Sequence, residues 1–235
     1  MTWIRLRQVA LVAHDLEAVV RALGDALGIE VAFRDPGVAT FGLHNAVLPI
    51  GNQFIEVVSP TRSGTAGGRQ LERLGGDGGY MVICHTDDHG SVRQRVHDIG
   101  VRTVIDVDDH GYRIMQLHPS DTGGSFLEID FQTGGEDPEG PWNPAGVDWQ
   151  RARHTEVVNG ITAVTVQSKD PDSTAARWAE ITALDVIDRS LALDNATVTF
   201  VDGPVDSLAA VTLAATDRSR AGGRRTICGV EFRLE

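Results

Sequence analysis

The chain has 235 residues, of which 41% are hydrophobic, enough to bury the core of one large domain or two small ones. Its formal net charge of -12 repels both the phosphate backbone of nucleic acids and anionic lipid headgroups. Cys84 and Cys228 lack CxxC spacing, and no apolar segment is as long as a signal sequence or a bilayer span. We therefore expect a cytoplasmic protein without a nucleic-acid partner or a membrane anchor.

The first elements in the chain form a strand–helix–strand pattern. Residues 6–13 alternate as a strand does, and apolar residues then recur at helical spacing over 16–27. β-rich segments follow, and the last two are joined by Gly51-Asn52, a two-residue connection suited to a tight hairpin. The first 63 residues or so are therefore predicted to form one βαβββ module.

The chain contains this module twice. A gapless shift of 72 positions lays residues 8–59 onto 80–131, with a second helix predicted over 89–99 and a second module over about 80–133. Aspartates suited to cap the two helices and glycines suited to end them recur in register. The identical pairs are Asp15/Asp87, Val20/Val92, Arg21/Arg93, Gly28/Gly100, Gly51/Gly123, Phe54/Phe126 and Glu56/Glu128. A pseudo-twofold axis should relate the two copies.

Two connecting segments divide the rest of the chain. The glycine-rich stretch 64–79 is either a plain linker or a mobile flap. Residues 134–158, rich in proline, glycine and acidic residues, are a linker that bounds the paired modules at 1–133. The pattern then restarts over 159–235, which is predicted to be a third, degenerate βαβββ-like module. Its elements are a strand over 161–167, a helix over 172–183, a hairpin around Asp194-Asn195 and strands near 208–215 and 226–234.

Four polar side chains are predicted to converge between the paired modules. Alternation places Gln8 on one face of the first strand, and Phe54 and Glu56 on one face of the fourth. The shift of 72 puts Tyr80 in the place of Gln8 and Glu128 in the place of Glu56. A carboxylate buried in so apolar a strand loses solvation. Either both glutamates lie on a wet sheet face or they face a small-molecule cup, and the apolar residues beside them favour the cup.

Counting back from the two hairpin turns predicts which neighbours share this face. In the first copy the turn pairs Glu56 with Val47, which points Asn45 inward and leaves His44 outside. The same count in the second copy points Arg113 and Leu117 inward and leaves His118 outside. The candidate substrate contacts are therefore Asn45, Arg113, Phe54 and Phe126, with Arg113 suited to a carboxylate or phosphate. For Asn45 and Arg113 the alternative is an ordinary solvated strand position.

The segments RQVALVAHDLEAVVRALGDALGI, NQFIEVVSP and LHPSDTGGSFLEIDF resemble the vicinal-oxygen-chelate superfamily, which includes glyoxalase I and methylmalonyl-CoA epimerase. The resemblance covers residues 6–131 and implies an α+β fold of tandem βαβββ modules, the glyoxalase/bleomycin-resistance fold. It also implies metal ligands on the first and fourth strands of each module. By position these are Gln8, Glu56 and Glu128, around Mg, Mn, Co, Ni or Zn. Tyr80 stands where the superfamily has histidine, and a phenol is a poor ligand.

Two functional hypotheses follow. The first is a metal-dependent, glyoxalase-like lyase or isomerase acting on a small oxygenated substrate through an enediolate. Its catalytic residues would be Glu56 and Glu128, which move a proton, and Tyr80, which donates a hydrogen bond. The second is a metal-free small-molecule binding or sequestering protein of the same fold, in which one of two facing glutamates is protonated. A regulatory or interaction module with a working tail is a third possibility.

The third module also carries an expectation about assembly. The positions equivalent to Gln8 and Glu56 are predicted near Ala163 and Val211, so its concave face should be apolar. Exposed apolar faces of this kind usually mark an interface. We therefore expect this face to pack either on the first two modules or across the axis of a homodimer.

Overall fold

The computed structural model describes residues 2–235, which form two seven-stranded mixed sheets and five α-helices. The first half of the chain contains β1 (Ile4–Val12), α1 (Leu16–Leu27), β2 (Leu43–Ile50), β3 (Gln53–Pro60), α2 (Ala66–Leu74), β4 (Gly78–Thr86), α3 (His89–Asp98), β5 (Thr103–Asp109), β6 (Tyr112–Leu117), α4 (Pro119–Thr122) and β7 (Phe126–Gln132). The second half contains β8 (Val158–Ser168), α5 (Pro171–Thr182), β9 (Val186–Ile187), β10 (Ser190–Ala192), β11 (Thr197–Asp202), β12 (Ser207–Ala215), β13 (Arg224–Ile227) and β14 (Val230–Leu234). None of these helices is long and apolar enough to cross a membrane.

The first sheet has the strand order β2-β3-β1-β4-β7-β6-β5. At its centre β1 and β4 pair antiparallel, and each also pairs in parallel with the last strand of its own module, β3 or β7. The two predicted modules are thus present and symmetric about the β1–β4 pair. The first module departs from the prediction in one place, since its second strand is reduced to a single bridge between Phe33 and Val47.

The two copies are offset by 73 positions at their first strands, one more than predicted. Gln8 lies opposite Phe54, whereas the residue opposite Phe126 is Met81. The register between β1 and β4 shifts beside Tyr80, because Ala10 pairs with Met81 but the next residue pairs with Gly79. Tyr80 is therefore the extra residue of a β-bulge. The structural counterpart of Gln8 is Met81, and the gapless shift was wrong at this strand.

The helix caps carry the same offset. Asp15 caps α1 by accepting a hydrogen bond from the Ala18 N–H at 2.9 Å, as predicted. In the second copy the N-cap is Asp88, not Asp87, which instead accepts a hydrogen bond from the Trp3 N–H at 2.8 Å. Gly28 ends α1 in the left-handed conformation expected of a C-terminal glycine. The observed helices match the predicted spans to within one residue.

The glycine-rich stretch between the copies is neither a plain linker nor a flap. Thr65 caps α2 by accepting a hydrogen bond from the Gly68 N–H at 2.9 Å. Leu71 of this helix belongs to the apolar cluster on the concave face of the first sheet, together with residues of β1, β3 and β4. α2 therefore covers one side of the predicted cup.

The linker over 134–158 folds back onto the same concave face. Its two tryptophans, Trp142 and Trp149, are each 1% exposed and pack around Phe54. The guanidinium of Arg7 lies over the Trp142 ring at 5.4 Å and donates to the carbonyl oxygens of Asn52 and Pro138. The segment 134–158, which was predicted to be a linker between domains, therefore packs into one end of the cup.

The second sheet has the order β13-β14-β12-β8-β11-β10-β9 and repeats the plan of the first. β8 pairs in parallel with β11 on one side and antiparallel with β12 on the other, and β12 pairs in parallel with β14. Residues 158–202 thus form a βαβββ unit, and residues 207–234 form a partial unit that lacks the helix. The predicted last strand near 226–234 is instead a hairpin, β13–β14, which turns at Cys228-Gly229.

One apolar core joins the two sheets. It contains side chains of β1, β3, β4 and β7, of α1, α3 and α5, and of β8, β11, β12 and β14. Where β4 meets β12, a Cβ on Gly79 would lie 2.0 Å from the Leu208 carbonyl oxygen, so this contact requires glycine. The third region therefore packs on the first two modules, but through the face of its sheet that carries Val164 and Val211 and not through the predicted concave face.

The concave face of the second sheet is not apolar. Val211 is fully buried in the joint core, because it lies opposite Val164 on the packed side of the sheet. The strand paired in parallel with β8 is β11. The counterpart of Glu56 therefore lies on β11, and its predicted place near Val211 on β12 was wrong. The half-buried side chains on the open face are mainly small or polar, namely Ala163, Thr165, Gln167, Thr197 and Thr199. The apolar face on which the homodimer prediction rested is absent from the described residues.

Candidate active site

A cavity of about 440 Å³ opens on the concave face of the first sheet. Glu56 and Glu128, each 8% exposed, line it from β3 and β7, on opposite sides of the β1–β4 pair. Parallel pairing sets Glu56 beside Ala10 and Glu128 beside Ile83, so the two carboxyls occupy equivalent positions. The cup interpretation is therefore correct, and the wet sheet face is excluded.

Glu56 is held by two side-chain amides. The Gln8 amide donates to Oε2 at 3.0 Å, and the Asn45 amide donates to Oε1 at 2.7 Å. The predicted hairpin register, with Val47 opposite Glu56, is found, and it brings Asn45 to this carboxylate. Glu56 is thus surrounded by hydrogen-bond donors.

Groups that can only donate fix the orientation of both amides. The Trp142 indole N–H donates to the Gln8 Oε1 at 2.8 Å, and the Asp35 backbone N–H donates to the Asn45 Oδ1 at 2.8 Å. Each amide must turn its oxygen to that donor, so its NH₂ group faces Glu56. Burial raises the pKa of Glu56 above its usual value, and the two amide hydrogen bonds oppose part of this rise by stabilising the carboxylate.

Glu128 has the opposite surroundings. The Gln116 amide reaches its Oε2 at 3.3 Å, and Asp130 lies two residues further along the same face of β7. Burial, followed by the carboxyls of Asp130 and Glu56, raises the pKa of Glu128 well above its usual value. A group with one long hydrogen bond and two acidic neighbours is held in the protonated form.

Asp130 links Glu128 to Tyr112 in a chain of three polar groups. It is fully buried, and the Tyr112 hydroxyl donates to its Oδ2 at 2.6 Å. Its Oδ1 has no close hydrogen-bond donor among residues 2–235, and the Met115 backbone N–H makes only a weaker contact with this carboxyl. Its pKa is raised to about 7 by burial, against the hydrogen bonds with Tyr112 and Glu128. A proton shared between Asp130 and Glu128 gives this buried carboxyl a further hydrogen bond.

Tyr80 lines the same cavity from its bulge and packs on Phe126 at 5.0 Å between ring centroids. Burial, followed by the charges of Glu56 and Glu128, raises its pKa. Its hydroxyl therefore stays protonated and can donate a hydrogen bond to an anionic or carbonyl oxygen.

As they are arranged, these side chains do not fit a divalent metal ion. The only oxygen of Gln8 already accepts the Trp142 hydrogen bond, and its NH₂ group faces the cavity side of Glu56. Met81 stands at the position symmetric to Gln8, and its thioether is a poor ligand for hard cations. Among residues 2–235 no cluster of three His, Cys, Asp or Glu side chains could hold an ion. No chemical step is therefore assigned to a metal.

Of the four predicted substrate contacts, Asn45 lines the cavity, and Arg113, Phe54 and Phe126 do not. Arg113 pairs with Asp108 at 2.7 Å and lies over Phe131, because the β6–β7 connection contains α4 and is not a two-residue turn. Gln116 lies opposite Glu128, so Gln116, Ile114 and Tyr112 point inward instead. Phe54 is covered by the tryptophans of the linker and is fully buried. Phe126 is half-buried against Tyr80, and Asn45 lines the cavity.

The predicted exclusion of two histidines is correct. His44 is exposed on β2. His118 caps α4 by accepting a hydrogen bond from the Ser120 N–H at 3.2 Å. Neither histidine lines the cavity.

A family model described as a glyoxalase-like domain matches residues 9–182. The chain belongs to this family. It is 26% identical over 130 residues to the ethylmalonyl-CoA/methylmalonyl-CoA epimerase of Cereibacter sphaeroides, covering 54% of this chain and 96% of that protein. It is also 26% identical over 129 residues to the mitochondrial methylmalonyl-CoA epimerase of Mus musculus, covering 54% of this chain and 72% of that protein. The resemblance to the vicinal-oxygen-chelate superfamily is confirmed.

Solved structures align either with part of the chain or with nearly all of it. A methylmalonyl-CoA epimerase in complex with methylmalonyl-CoA and NH₄⁺ aligns with a TM-score of 0.50 and 25% identity, over 59% of this chain and 99% of that one. A hypothetical protein from Staphylococcus aureus aligns over 99% of both chains with a TM-score of 0.73 and 16% identity, a likeness that shows the fold alone. The α+β glyoxalase fold is therefore confirmed, and its extension by a second sheet also occurs in another protein.

Three residues that build the site were missed by sequence reasoning. Asp130 follows Glu128 by two positions, so strand alternation already placed it on the same face. Gln116 was missed because the wrong turn was assumed before β7. Trp142 was missed because it lies in a Pro/Gly-rich segment, although a tryptophan is seldom left exposed in a solvated linker.

Proposed function

We propose that the protein is an isomerase-type enzyme that moves a proton at the carbon next to the carbonyl group of a small substrate. The observation that carries this proposal is that Glu56 and Glu128 line one cavity with opposite surroundings. Glu56 faces two amide donors, while Glu128 faces other carboxyls. Pairs of carboxyls whose pKa values are pushed apart by their environments are typical of acid–base catalysis.

In the proposed reaction the Glu56 carboxylate takes the proton from the carbon. The electron pair of the C–H bond forms a carbon–carbon double bond, and the carbonyl oxygen takes the negative charge. Tyr80 donates a hydrogen bond to this oxygen, which lowers the energy of the enolate. The Gln8 and Asn45 amides keep Glu56 ionised and aimed before the reaction begins.

Glu128 returns a proton to the carbon skeleton and becomes a carboxylate. Since the two glutamates project from β3 and β7 on opposite sides of the central strands, a substrate between them presents one face to each. Removal on one face and return on the other inverts the configuration of the carbon. Asp130 and Tyr112 position Glu128 and hold the proton it carries.

The relatives support the reaction type. The two curated proteins are named as epimerases, and each aligns with 54% of this chain. Proton transfer by two carboxyl groups needs no further cofactor, which agrees with the poor fit of the site to a divalent ion.

The second candidate is a metal-free binding protein of the same fold. It is favoured by the extent of burial, since a cavity of about 440 Å³ is large enough to enclose a small molecule. The two candidates differ in whether a bound carbonyl compound exchanges its α-proton with solvent.

Solvent exchange tests the proposal. The protein is incubated in ²H₂O with a panel of α-substituted ketones, esters and thioesters, and deuterium at the α-carbon is measured by NMR. We expect exchange with at least one member, its loss in Glu56→Gln and a strong decrease in Glu128→Gln. Glu180→Gln, a change of an exposed glutamate that pairs with Arg177, should leave the rate unchanged. Binding without exchange would support the binding protein and contradict the enzyme.

A further inference from the structure

We propose that the substrate of this cavity carries no anionic group: it is an uncharged or positively charged, largely apolar carbonyl compound. This inference rests on the proposed function and names the substrate class of the same site. It differs from what the relatives' names indicate, because acyl-CoA thioesters carry phosphates and methylmalonyl-CoA also carries a free carboxylate.

The charges of the cavity wall carry the argument. Among residues 2–235, the charged side chains that line the cavity are Asp35, Glu56, Asp109 and Glu128, and no lysine, arginine or histidine lines it. Asp35 lies on the segment before β2, and Asp109 lies at the end of β5. The two glutamates lie on the strands β3 and β7 that form the floor of the cavity. An anion would therefore meet only negative or neutral groups along its path.

The nearby arginines are directed elsewhere. Arg7 lies behind the Trp142 ring and donates to backbone carbonyls of the linker. Arg113 pairs with Asp108, and Arg93 forms a bidentate pair with Asp106, so both carry their own acidic partner. Arg69 on α2 is exposed and donates to the Gly64 carbonyl at 2.9 Å. The charge of Arg69 acts on Tyr80, but none of these arginines lines the cavity as a clamp for a carboxylate or phosphate.

The uncharged residues that line the cavity are mostly apolar and indicate which ligands it would bind. Val38 and Phe41 form one side of the opening, and Val104 and Val107 on β5 form another, with Phe41 and Val104 each about half exposed at 52% and 51%. The Gln8 and Asn45 amides, which could recognise a carboxylate, are already bound to Glu56. An apolar skeleton with one carbonyl group matches this wall.

Matched ligand pairs test the inference independently of turnover. Small α-branched carboxylic acids, their methyl esters and their primary-amine analogues are screened by ligand-observed NMR against the whole chain. Binding in the cavity is recognised by its loss in Ile114→Trp, which fills the cavity, after circular dichroism has shown that this variant is folded. We expect cavity binding by esters or amines that is at least tenfold tighter than that of the matched acids. Acids or a short acyl-CoA that bind in the cavity as tightly as the esters would overturn the inference, as would the absence of any ester or amine that binds there.

A charge introduced at the opening provides a second test. Val107→Lys places a cation on a lining residue, while Val147→Lys places one on a residue that is 97% exposed and does not line the cavity. We expect the first change to increase affinity for the acids at least tenfold and the second to leave it unchanged. Equal effects of the two variants would show that the charge of the wall does not select the ligand. Because these tests measure binding, they stand even if the exchange experiment fails.

Discussion

The buried Asp130 makes a quantitative prediction about stability and pH. Its pKa rises from 3.8 to about 7 on folding, because the carboxyl loses its hydration. The folded state therefore holds this proton more tightly than the unfolded state, and stability falls as the pH rises between those two values. A shift of about 3 units corresponds to a loss of up to about 4 kcal/mol. Part of this loss is shared with Glu128, with which Asp130 interacts.

Asp130→Asn removes the titration while keeping the shape of the side chain and an acceptor for the Tyr112 hydroxyl. We expect the variant to gain stability relative to the wild type as the pH rises from 4 to 8, and to be the more stable form at pH 8. Urea unfolding at intervals of one pH unit measures the difference. Asp185→Asn, at an exposed aspartate, is the control and should show no such trend. A difference that is constant with pH, or that favours the wild type at high pH, would refute the reasoning.

Two further predictions concern Gln8 and its symmetric position. Trp142→Phe removes the indole N–H that binds the Gln8 oxygen, whereas the indole N–H of Trp178 has no hydrogen-bond partner among residues 2–235. Urea unfolding should therefore show Trp142→Phe to be about 1–3 kcal/mol more destabilising than Trp178→Phe. Equal losses would contradict the role given to this hydrogen bond. Met81→His should raise affinity for Ni²⁺ or Co²⁺ in calorimetric titrations at least tenfold more than Tyr80→His, since Met81 occupies the place symmetric to Gln8. A larger gain from Tyr80→His would contradict the assigned bulge.

The parts of the site that follow from local geometry could be predicted from the sequence. The turn at Gly51-Asn52 has two residues, and the count from it gave the observed pairing of Val47 with Glu56 and the inward direction of Asn45. Strand alternation likewise placed Glu56 and Glu128 on concave faces. A two-residue turn permits one pairing register, and a regular strand permits one pattern of inward and outward side chains, so both results followed from the sequence.

The register of the second copy could not be read in the same way. A β-bulge adds one residue while the apolar pattern on either side continues, so the gapless repeat hid the displacement of Tyr80. The connection before β7 did contain a signal, because Pro119 after His118 suits the first turn of a helix better than a hairpin. Reading this signal would have removed Arg113 from the predicted site.

Long-range packing accounts for the other differences. Trp142 acts on Gln8 from 134 positions away along the chain, and no local pattern specifies that contact. The strand pairing of the second sheet was also not specified by a local pattern, because its partial unit lacks the helix that follows the first strand of each other module. The open face of this sheet was predicted to be apolar because β12 was taken for the strand that pairs in parallel with β8. That strand is β11, and the open face is polar.

The central claim is that, near neutral pH, Glu56 is ionised while Glu128 and Asp130 share a proton in the same cavity. Infrared spectra in ²H₂O test this most directly, because protonated carboxylic acids have a C=O stretching band separate from that of carboxylates. At pH 8, where Asp130 with its pKa of about 7 is mostly ionised and Glu128 still holds its proton, we predict one such band from the buried carboxyls, shifted or lost in Glu128→Gln and retained in Glu56→Gln. Loss of the band in Glu56→Gln with retention in Glu128→Gln, or no such band in the wild type, would contradict the account.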